Sequence, residues 1–477
     1  MPQVTERPKP FLFPEFCKGC GRCISVCQKH SIHFADHINA RTGVVPIEID
    51  LDTCNACGLC MDACPEPYGL IGRPVDATDW ELEDPSHLFG HRPTTAPVPV
   101  DIPDQRVALP ACEPLVVKGN YAAAIGALLA GCRHFFGYPI TPSTEGAELM
   151  ASLMPKLQGV FLQAVSEVAT VNHMYGAASA GQRSMTFTSS PGFSLMLEGI
   201  SYMIGAELPG VFINIMRGGP GLGNIAPEQT DIKLACRGLG HGNTHALVFA
   251  PSTPQEMLDM TMRAFDLSFR YRNPVVILGD GYLGQMTGRV MLPRDMVKPG
   301  IPAWAVWGDA MHRRNLTSSI MLAETDLEQH NEHLNRKYEA MKVEAMADTF
   351  LCDDAEIIVV ACNTPARMAK GAVQELRHMG VKAGLFRPQT LWPFPVDAFL
   401  PLLAHARRIV MVEASPGQLE DELRLALSRA DVRTYPPISS VQHFGGILPQ
   451  QHEIVTRIMD LPAGSHAQAV SGSEVLA

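Results

Sequence analysis

Cys17-Lys18-Gly19-Cys20-Gly21-Arg22-Cys23-Ile24-Ser25-Val26-Cys27 and Cys54-Asn55-Ala56-Cys57-Gly58-Leu59-Cys60-Met61-Asp62-Ala63-Cys64 are two copies of one spacing, C-x2-C-x2-C-x3-C. That spacing is the ligand run of chains that carry two cubane clusters, in which the fourth cysteine of each run ligates the other cluster. By that logic Cys17, Cys20, Cys23 and Cys64 hold one [4Fe–4S] cluster. Cys54, Cys57, Cys60 and Cys27 hold the second. Soft thiolates at this density select iron–sulfur or zinc. A zinc ribbon, however, uses two isolated C-x2-C pairs roughly 15–20 residues apart, which leaves the third and fourth cysteine of each run without a task. One departure is visible: Pro65 follows the second run, but Gln28 follows the first. The chain is expected to carry electrons.

Working outward from these runs, composition narrows the setting. The 477 residues are 46% apolar and carry a formal net charge of −11. That length suggests about three domains, and the negative balance argues against a nucleic-acid partner, which calls for a basic face. Of thirteen cysteines, the five outside the runs (Cys112, Cys132, Cys236, Cys352, Cys362) form no motif and read as free thiols. The first ten residues, MPQVTERPKP, contain no apolar stretch of a secretory signal. No run of about 18 or more apolar residues predicts a membrane span. Free thiols together with clusters point to a reducing, cytoplasmic location.

Residues 10–74 are expected to form a small α+β cluster module, with strands at Ser31–Phe34 and Val44–Ile49. Residues 75–111, rich in Pro and Asp, read as an extended linker. From 112 to 299 short apolar runs alternate with helical patterns. Strands are predicted at His134–Tyr138, Val160–Ala164, Ser184–Thr188, Val211–Met216, His245–Phe249 and Val275–Leu278. Helices are predicted at Thr144–Met154, Glu167–Ala180, Ser194–Ala206 and Pro254–Phe269. This rhythm predicts an α/β, doubly wound parallel sheet. Residues 300–351 read as a charged helical connector. A third, smaller α/β unit follows at 352–462, with strands at Glu356–Ala361, Ala383–Phe386 and Arg408–Val412. The tail, 463–477, is low in hydrophobicity and is expected to be mobile.

Ligands of open parallel sheets bind at the carboxyl ends of the strands, and three segments fall there. Gly137–Thr144 (GYPITPST) ends a strand and opens a helix, and its hydroxyls could cap that helix and do nothing more. Glu167 opens another helix, where a carboxylate is favourable against the dipole without any further role. Arg217–Asn224 (RGGPGLGN) does not fit G-x-G-x-x-G, so a dinucleotide site is poorly supported; Arg217 could grip a carboxylate bidentately.

Together, GYPITPST, Phe161–Ala180 (FLQAVSEVATVNHMYGAASA), Ser189–Gly192 (SSPG), Asn214–Gln229 (NIMRGGPGLGNIAPEQ) and Arg387–Pro395 (RPQTLWPFP) resemble the α subunit of the 2-oxoacid:ferredoxin oxidoreductases. The resemblance covers about residues 115–460. Within the family, the branched-chain (3-methyl-2-oxobutanoate) type looks most similar, and the first module resembles a bacterial two-cluster ferredoxin. The resemblance implies a thiamine diphosphate pyrimidine-type domain at 112–299 and a transketolase C-terminal-like domain at 352–462. It implies that Glu167 binds N1′ of the aminopyrimidine, that Thr141 contacts the oxo-acid end of the substrate, and that Arg217 pairs with its carboxylate. It further implies oxidative decarboxylation of a 2-oxoacid with CoA to acyl-CoA and CO2, with electrons leaving singly through the clusters.

Gly279-Asp280-Gly281 mimics the start of the thiamine diphosphate metal motif, but no Asn follows before Asn315. The turn is therefore expected to be structural. A β subunit is then expected to supply the Mg2+–diphosphate half, with a γ subunit and an external ferredoxin or other acceptor as further partners. His241 and His173 are expected to pack or to lie at the surface. An aromatic 2-oxoacid as substrate, or a purely electron-transferring scaffold, are the alternative readings.

Overall fold

The computed structural model describes residues 7–39, 42–66, 69–73, 99–309, 311–312 and 314–460. It comprises two compact units, Met1–Ala96 and Pro97–Ala477. Residues 75–98 of the expected linker and the expected mobile tail, 463–477, lie outside the described residues.

In the first unit each cysteine run turns through a left-handed glycine into one short helix. Gly21 (φ 70°) precedes Arg22–Val26, and Gly58 (φ 87°) precedes Leu59–Ala63. A side chain at those positions would be strained, which accounts for glycine between the second and third cysteine of each run. Two antiparallel ribbons complete the module: Ile32–Phe34 with Ile47–Ile49, and Lys9–Leu12 with Leu70–Arg73. Among the described residues its buried hydrophobic cluster is small, with Cys23, Ile32, Ile47, Cys60 and Leu70 as its buried members. So small a core does not sustain a module of this size without cross-links, and two of its members are cluster cysteines.

The second unit is built on a sheet whose elements alternate along the chain. They are α1 (Gly119–Leu129), β1 (His134–Gly137), α2 (Thr144–Leu153), β2 (Val160–Gln163), α3 (Glu167–Ser179), β3 (Ser184–Thr188) and α4 (Ser190–Gly205), followed by β4 (Gly210–Met216), α5 (Ile232–Arg237), β5 (Leu247–Phe249), α6 (Pro254–Tyr271), β6 (Pro274–Asp280) and the short α7 (Gly281–Gln285). The six strands are parallel, in the order β5-β6-β4-β3-β1-β2. Every residue of β3, β4, β5 and β6 is buried, as expected where helices cover both faces of a parallel sheet. The connection after β1 runs outward to β2, whereas that after β3 runs the other way to β4. The chain thus reverses direction between β1 and β3, the kind of switch point at which open parallel sheets bind ligands.

The smaller sheet contains β7 (Ala347–Phe350), β8 (Ile357–Val360), β9 (Ala383–Pro388), β11 (Arg408–Glu413) and β12 (Ile438–Gln442), in the order β7-β9-β8-β11-β12. Its main helices are α9 (Asn363–His378), α10 (Gln418–Arg429) and α11 (Gln451–Met459). Between β9 and β11 lies β10 (Thr390–Trp392), which leaves this domain and pairs antiparallel with β5 of the large sheet. There the Trp392 indole stacks on His245 at 4.7 Å.

Several boundaries differ from the sequence expectations. In the stretch read as a linker, Gln105–Ala108 is a strand paired with Asp295–Lys298. In the stretch read as a helical connector, the α-helix α8 is limited to Glu324–Met341, and β7 already belongs to the smaller sheet. These strands pair with partners far away in sequence, which local composition does not report.

The seam between the two α/β domains is crossed by buried hydrogen bonds. Asp280, fully buried, accepts hydrogen bonds from Tyr282 N (3.0 Å) and Leu283 N (2.9 Å) at the start of α7. It also accepts from Thr364 N and Thr364 Oγ1 (both 2.8 Å) in the first turn of α9. The GDG aspartate is thus engaged as a double helix cap, in line with the structural role expected of it. Gln229 ties the same seam, donating to Cys362 O (3.2 Å) and exchanging hydrogen bonds with the Ala414 backbone (2.8 Å each way). Replacing Asp280 with Ala strands at least two buried donors, each costing about 1–3 kcal/mol. Denaturation should show a loss of about 2 kcal/mol or more, and a change below about 0.5 kcal/mol would sink this account.

Candidate functional site

Two cavities of the first unit are each bordered by four cysteines. One is lined by Cys17, Cys20, Cys23 and Cys64, with Phe16 and Leu70 behind them. The other is lined by Cys27, Cys54, Cys57 and Cys60. The fold thus gathers three thiols from one run and the last thiol of the other around each cavity. Burial pushes the Cys60 thiol up to about 11, so that only a bound metal would hold it as thiolate at neutral pH. The Cys27 sulfur accepts the Ser31 N–H at 3.3 Å. Gly69 leaves Cys64 room, since a Cβ there would fall 2.9 Å from its sulfur. Four thiols around one cavity suit a cubane, and each set is complete. Cys64→Ala should abolish the same EPR signal as Cys20→Ala in the reduced protein; loss of the Cys57→Ala signal instead would contradict this grouping.

In the second unit Glu167, Thr141 and Arg217 all follow strands at the carboxyl edge of the large sheet. Glu167 is the first residue of α3, capped by Ser166, whose hydroxyl accepts from Ala169 N at 3.2 Å. Its side chain is 6% exposed. Among the described residues no hydrogen-bond donor reaches its carboxylate. The carboxylate rests over Gly192, in the first turn of α4. A Cβ at Gly192 would stand 2.5 Å from both Glu167 Oε1 and Thr188 Oγ1, and that Thr188 hydroxyl is itself buried without a partner. A buried carboxylate without a donor, over a position that only glycine leaves open, fits the protonated edge of a heteroaromatic ring.

Arg217 follows β4 and is 9% exposed. It donates from Nη1 to Thr141 O (2.8 Å) and from Nη2 to Leu222 O (3.2 Å). Its Nε is buried without a partner. Among the described residues its guanidinium contacts carbonyl oxygens and no carboxylate, so its charge is left for an anion. Thr141 is exposed on the loop that Arg217 touches. That loop departs from the capping expectation. Ser143 stands at the N-cap of α2, but its hydroxyl turns back to Ile140 O (2.7 Å) and caps nothing.

The sequence did not single out the residues that hold this geometry. Asn120, at the start of α1, donates to Pro142 O at 2.9 Å. Ser190 and Thr230 bracket the Arg217 backbone: Arg217 N donates to Ser190 Oγ (3.1 Å), and Thr230 Oγ1 donates to Arg217 O (3.1 Å). Below them Asn214 donates to Asp231 at 2.8 Å. Burial raises the Asp231 carboxyl above its usual range, against the hydrogen bonds that it accepts. Of these, only Ser190, in the SSPG segment, and Asn214, which opens the Asn214–Gln229 segment, lay in stretches that the sequence had marked. His241 is exposed and offers its backbone carbonyl to Ser201. His173 is exposed too, its ring 5.5 Å from that of Phe136.

Residues 125–350 match the family described as pyruvate flavodoxin/ferredoxin oxidoreductase, thiamine diphosphate-binding. Residues 355–454 match the pyruvate:ferredoxin oxidoreductase core domain II, and residues 16–67 a 4Fe-4S dicluster domain. The ketoisovalerate oxidoreductase subunit VorB of Methanothermobacter thermautotrophicus is 44% identical over 353 residues, covering 73% of this chain and 98% of its own length. The chain belongs to the 2-oxoacid:ferredoxin oxidoreductases, as an α-type subunit. The 2-oxoglutarate synthase subunit KorA of Archaeoglobus fulgidus is 36% identical, covering 70% of this chain and 96% of its own. A solved 2-oxoglutarate:ferredoxin oxidoreductase from Magnetococcus marinus superposes with a TM-score of 0.64 at 26% identity, over 74% of this chain and 66% of that one. This oxidoreductase subunit therefore combines a thiamine diphosphate-binding domain with a domain for two [4Fe–4S] clusters. Its enzyme class oxidises 2-oxoacids with transfer of the acyl group to CoA. Among the described residues no helix is long and apolar enough to cross a membrane.

Proposed function

We propose that this subunit serves a branched-chain 2-oxoacid such as 3-methyl-2-oxobutanoate, converting it with CoA to the acyl-CoA and CO2. The observation that carries the reading is the gap in identity. The chain shares 44% with the ketoisovalerate subunit over nearly that subunit's whole length, against 33–36% with 2-oxoglutarate synthase subunits.

Each residue then has one task. Glu167 accepts a hydrogen bond from N1′ of the aminopyrimidine; burial and the absence of a competing donor leave its carboxylate free to share that proton. Arg217 takes the substrate carboxylate with the guanidinium that lacks an ionic partner. Thr141, on the loop tied to Arg217, meets the oxo-acid end. Cys17, Cys20, Cys23 and Cys64 hold one cluster, and Cys54, Cys57, Cys60 and Cys27 the other. When bound, thiamine diphosphate supplies the carbon nucleophile and electron sink for decarboxylation, and the clusters supply one-electron acceptors. The Mg2+–diphosphate half belongs to a β subunit, a reading supported by the capping duty of Asp280. A γ subunit and an external ferredoxin or similar acceptor complete the cytoplasmic enzyme.

Reconstituted with its partner subunits and CoA, the enzyme should reduce a low-potential dye fastest with 3-methyl-2-oxobutanoate. Faster turnover of 2-oxoglutarate, pyruvate or an arylglyoxylate would overturn the substrate reading, and robust turnover by the chain alone would overturn the shared site. Glu167→Gln should leave both EPR signals intact and slow deuterium exchange at thiamine C2 by about 10²–10⁴-fold. An unchanged exchange rate would remove Glu167 from the assigned role.

A further inference from the structure

The loop that carries Arg217 has little packing to hold it. Leu222 is 82% exposed and Ile225 62% exposed, so the segment from Gly218 to Pro227 buries little apolar surface. Order there has to come from hydrogen bonds. Three close the loop on itself: Asn224 N to Gly218 O and Gly218 N to Ala226 O, both at 3.0 Å, and Ala226 N to Asn224 Oδ1 at 2.9 Å. Gly221 and Gly223 take left-handed backbone (φ 72° and 53°), and a Cβ at Gly223 would overlap Gly218 O.

Others link the loop to the C-terminal α/β domain. Glu228 is 2% exposed. Its Oε2 accepts Gly219 N at 3.0 Å, and its Oε1 accepts Gly445 N at 2.9 Å. Gly445 belongs to the His443–Ile447 turn that follows β12 in the C-terminal α/β domain. Beside this bridge Asn224 Nδ2 donates to Gly445 O at 2.9 Å, and Gly446 packs so closely on Ala226 that a Cβ there would collide with it. Both hydrogen-bond partners of the Glu228 carboxylate among the described residues are backbone N–H groups. A buried anion held by two amides needs both of its oxygens as acceptors. Glutamine, of nearly the same shape, keeps one acceptor and turns an NH2 toward the other amide.

We propose that Glu228 is a positioning residue for 2-oxoacid binding: it fastens the Arg217 loop to the C-terminal domain, which makes the His443–Ile447 turn part of the substrate site. The inference rests on Arg217 as the carboxylate anchor. The link is Leu222 O, one of the two carbonyls that hold the Arg217 guanidinium. Release of the Gly219 end lets that carbonyl drift, while the hold from Thr141 O stays. Glu167 stands on α3, outside this network, so the thiamine end of the site does not depend on the clamp.

The test uses the enzyme reconstituted with its partner subunits and compares Glu228→Gln, Asn224→Ala and Arg217→Met. KM for the 2-oxoacid, deuterium exchange at thiamine C2 and cluster EPR are read for each. Glu228→Gln should raise KM about ten-fold or more, approaching Arg217→Met, with C2 exchange within about two-fold of wild type and both EPR signals retained. Asn224→Ala, at an exposed position, should raise KM by less and in the same direction. If Arg217→Met raises KM while neither of the other two does, the clamp is wrong and the role of Arg217 stands. If Arg217→Met itself leaves KM unchanged, the role of Arg217 falls and the clamp with it. If Glu228→Gln depresses C2 exchange as much as it weakens substrate binding, its effect is general damage and the positioning role is overturned. Should that variant fail to assemble, Asn224→Ala decides by the same criteria.

Discussion

Six parallel strands end at one edge of the large sheet, and every loop leaving that edge brings backbone polar groups that need partners. Most of the site follows from this constraint. Ser143 answers Ile140 O, Asn120 answers Pro142 O, Ser190 and Thr230 bracket the backbone of Arg217, and Arg217 answers Thr141 O and Leu222 O. Among the described residues the Glu167 carboxylate has no protein donor, and Thr188 Oγ1 and Arg217 Nε are buried without a partner; buried atoms without a partner also occur away from this edge, His245 Nδ1 and Asn273 Oδ1 among them. Those at the carboxyl edge are in keeping with the ligand roles proposed for Glu167 and Arg217.

The same accounting joins the two α/β domains. Asp280 caps helices of both, Gln229 bonds to backbone on the far side, and Asn363 donates to Pro251 O (3.0 Å) and Leu278 O (2.7 Å). With β10 contributed to the large sheet, the border between the domains is continuous hydrogen-bonded structure. Such a border can transmit position to the loops above it, because a densely hydrogen-bonded seam has few alternative arrangements of similar energy.

The cluster module obeys a different constraint. Its core is too small to fold on apolar burial, and its two buried cysteines are held as thiols unless metal is bound. The cavities draw on both runs, so ligation would cross-link the module's two halves, and folding and cofactor loading become one process.

Local chemistry was legible in the sequence. The cysteine spacing, the buried runs of β3 to β6 and the starts of α3 and α6 each rest on residues close together in the chain, as did the three residues placed around the site. Their family roles came from resemblance; residue type alone would have left Glu167 as a dipole charge and Thr141 as a cap. The crossed cysteine sets apart, what lay beyond reach was the pairing of distant backbone segments. The ribbon of Gln105–Ala108 with Asp295–Lys298, the passage of β10 into the other sheet, and the bridge from Gly219 through Glu228 to Gly445 all join segments with no local signature. Ser143 shows the same limit: a hydroxyl beside a helix start can bond forward to cap or backward to close its loop, and only the packed loop chooses. The sequence by itself determined the main helices and buried strands and which chemistry the chain can carry, because propensity and ligand spacing are local. The tertiary structure alone decided which buried polar groups are satisfied and which are left for ligands, because that depends on what the fold brings within about 3 Å.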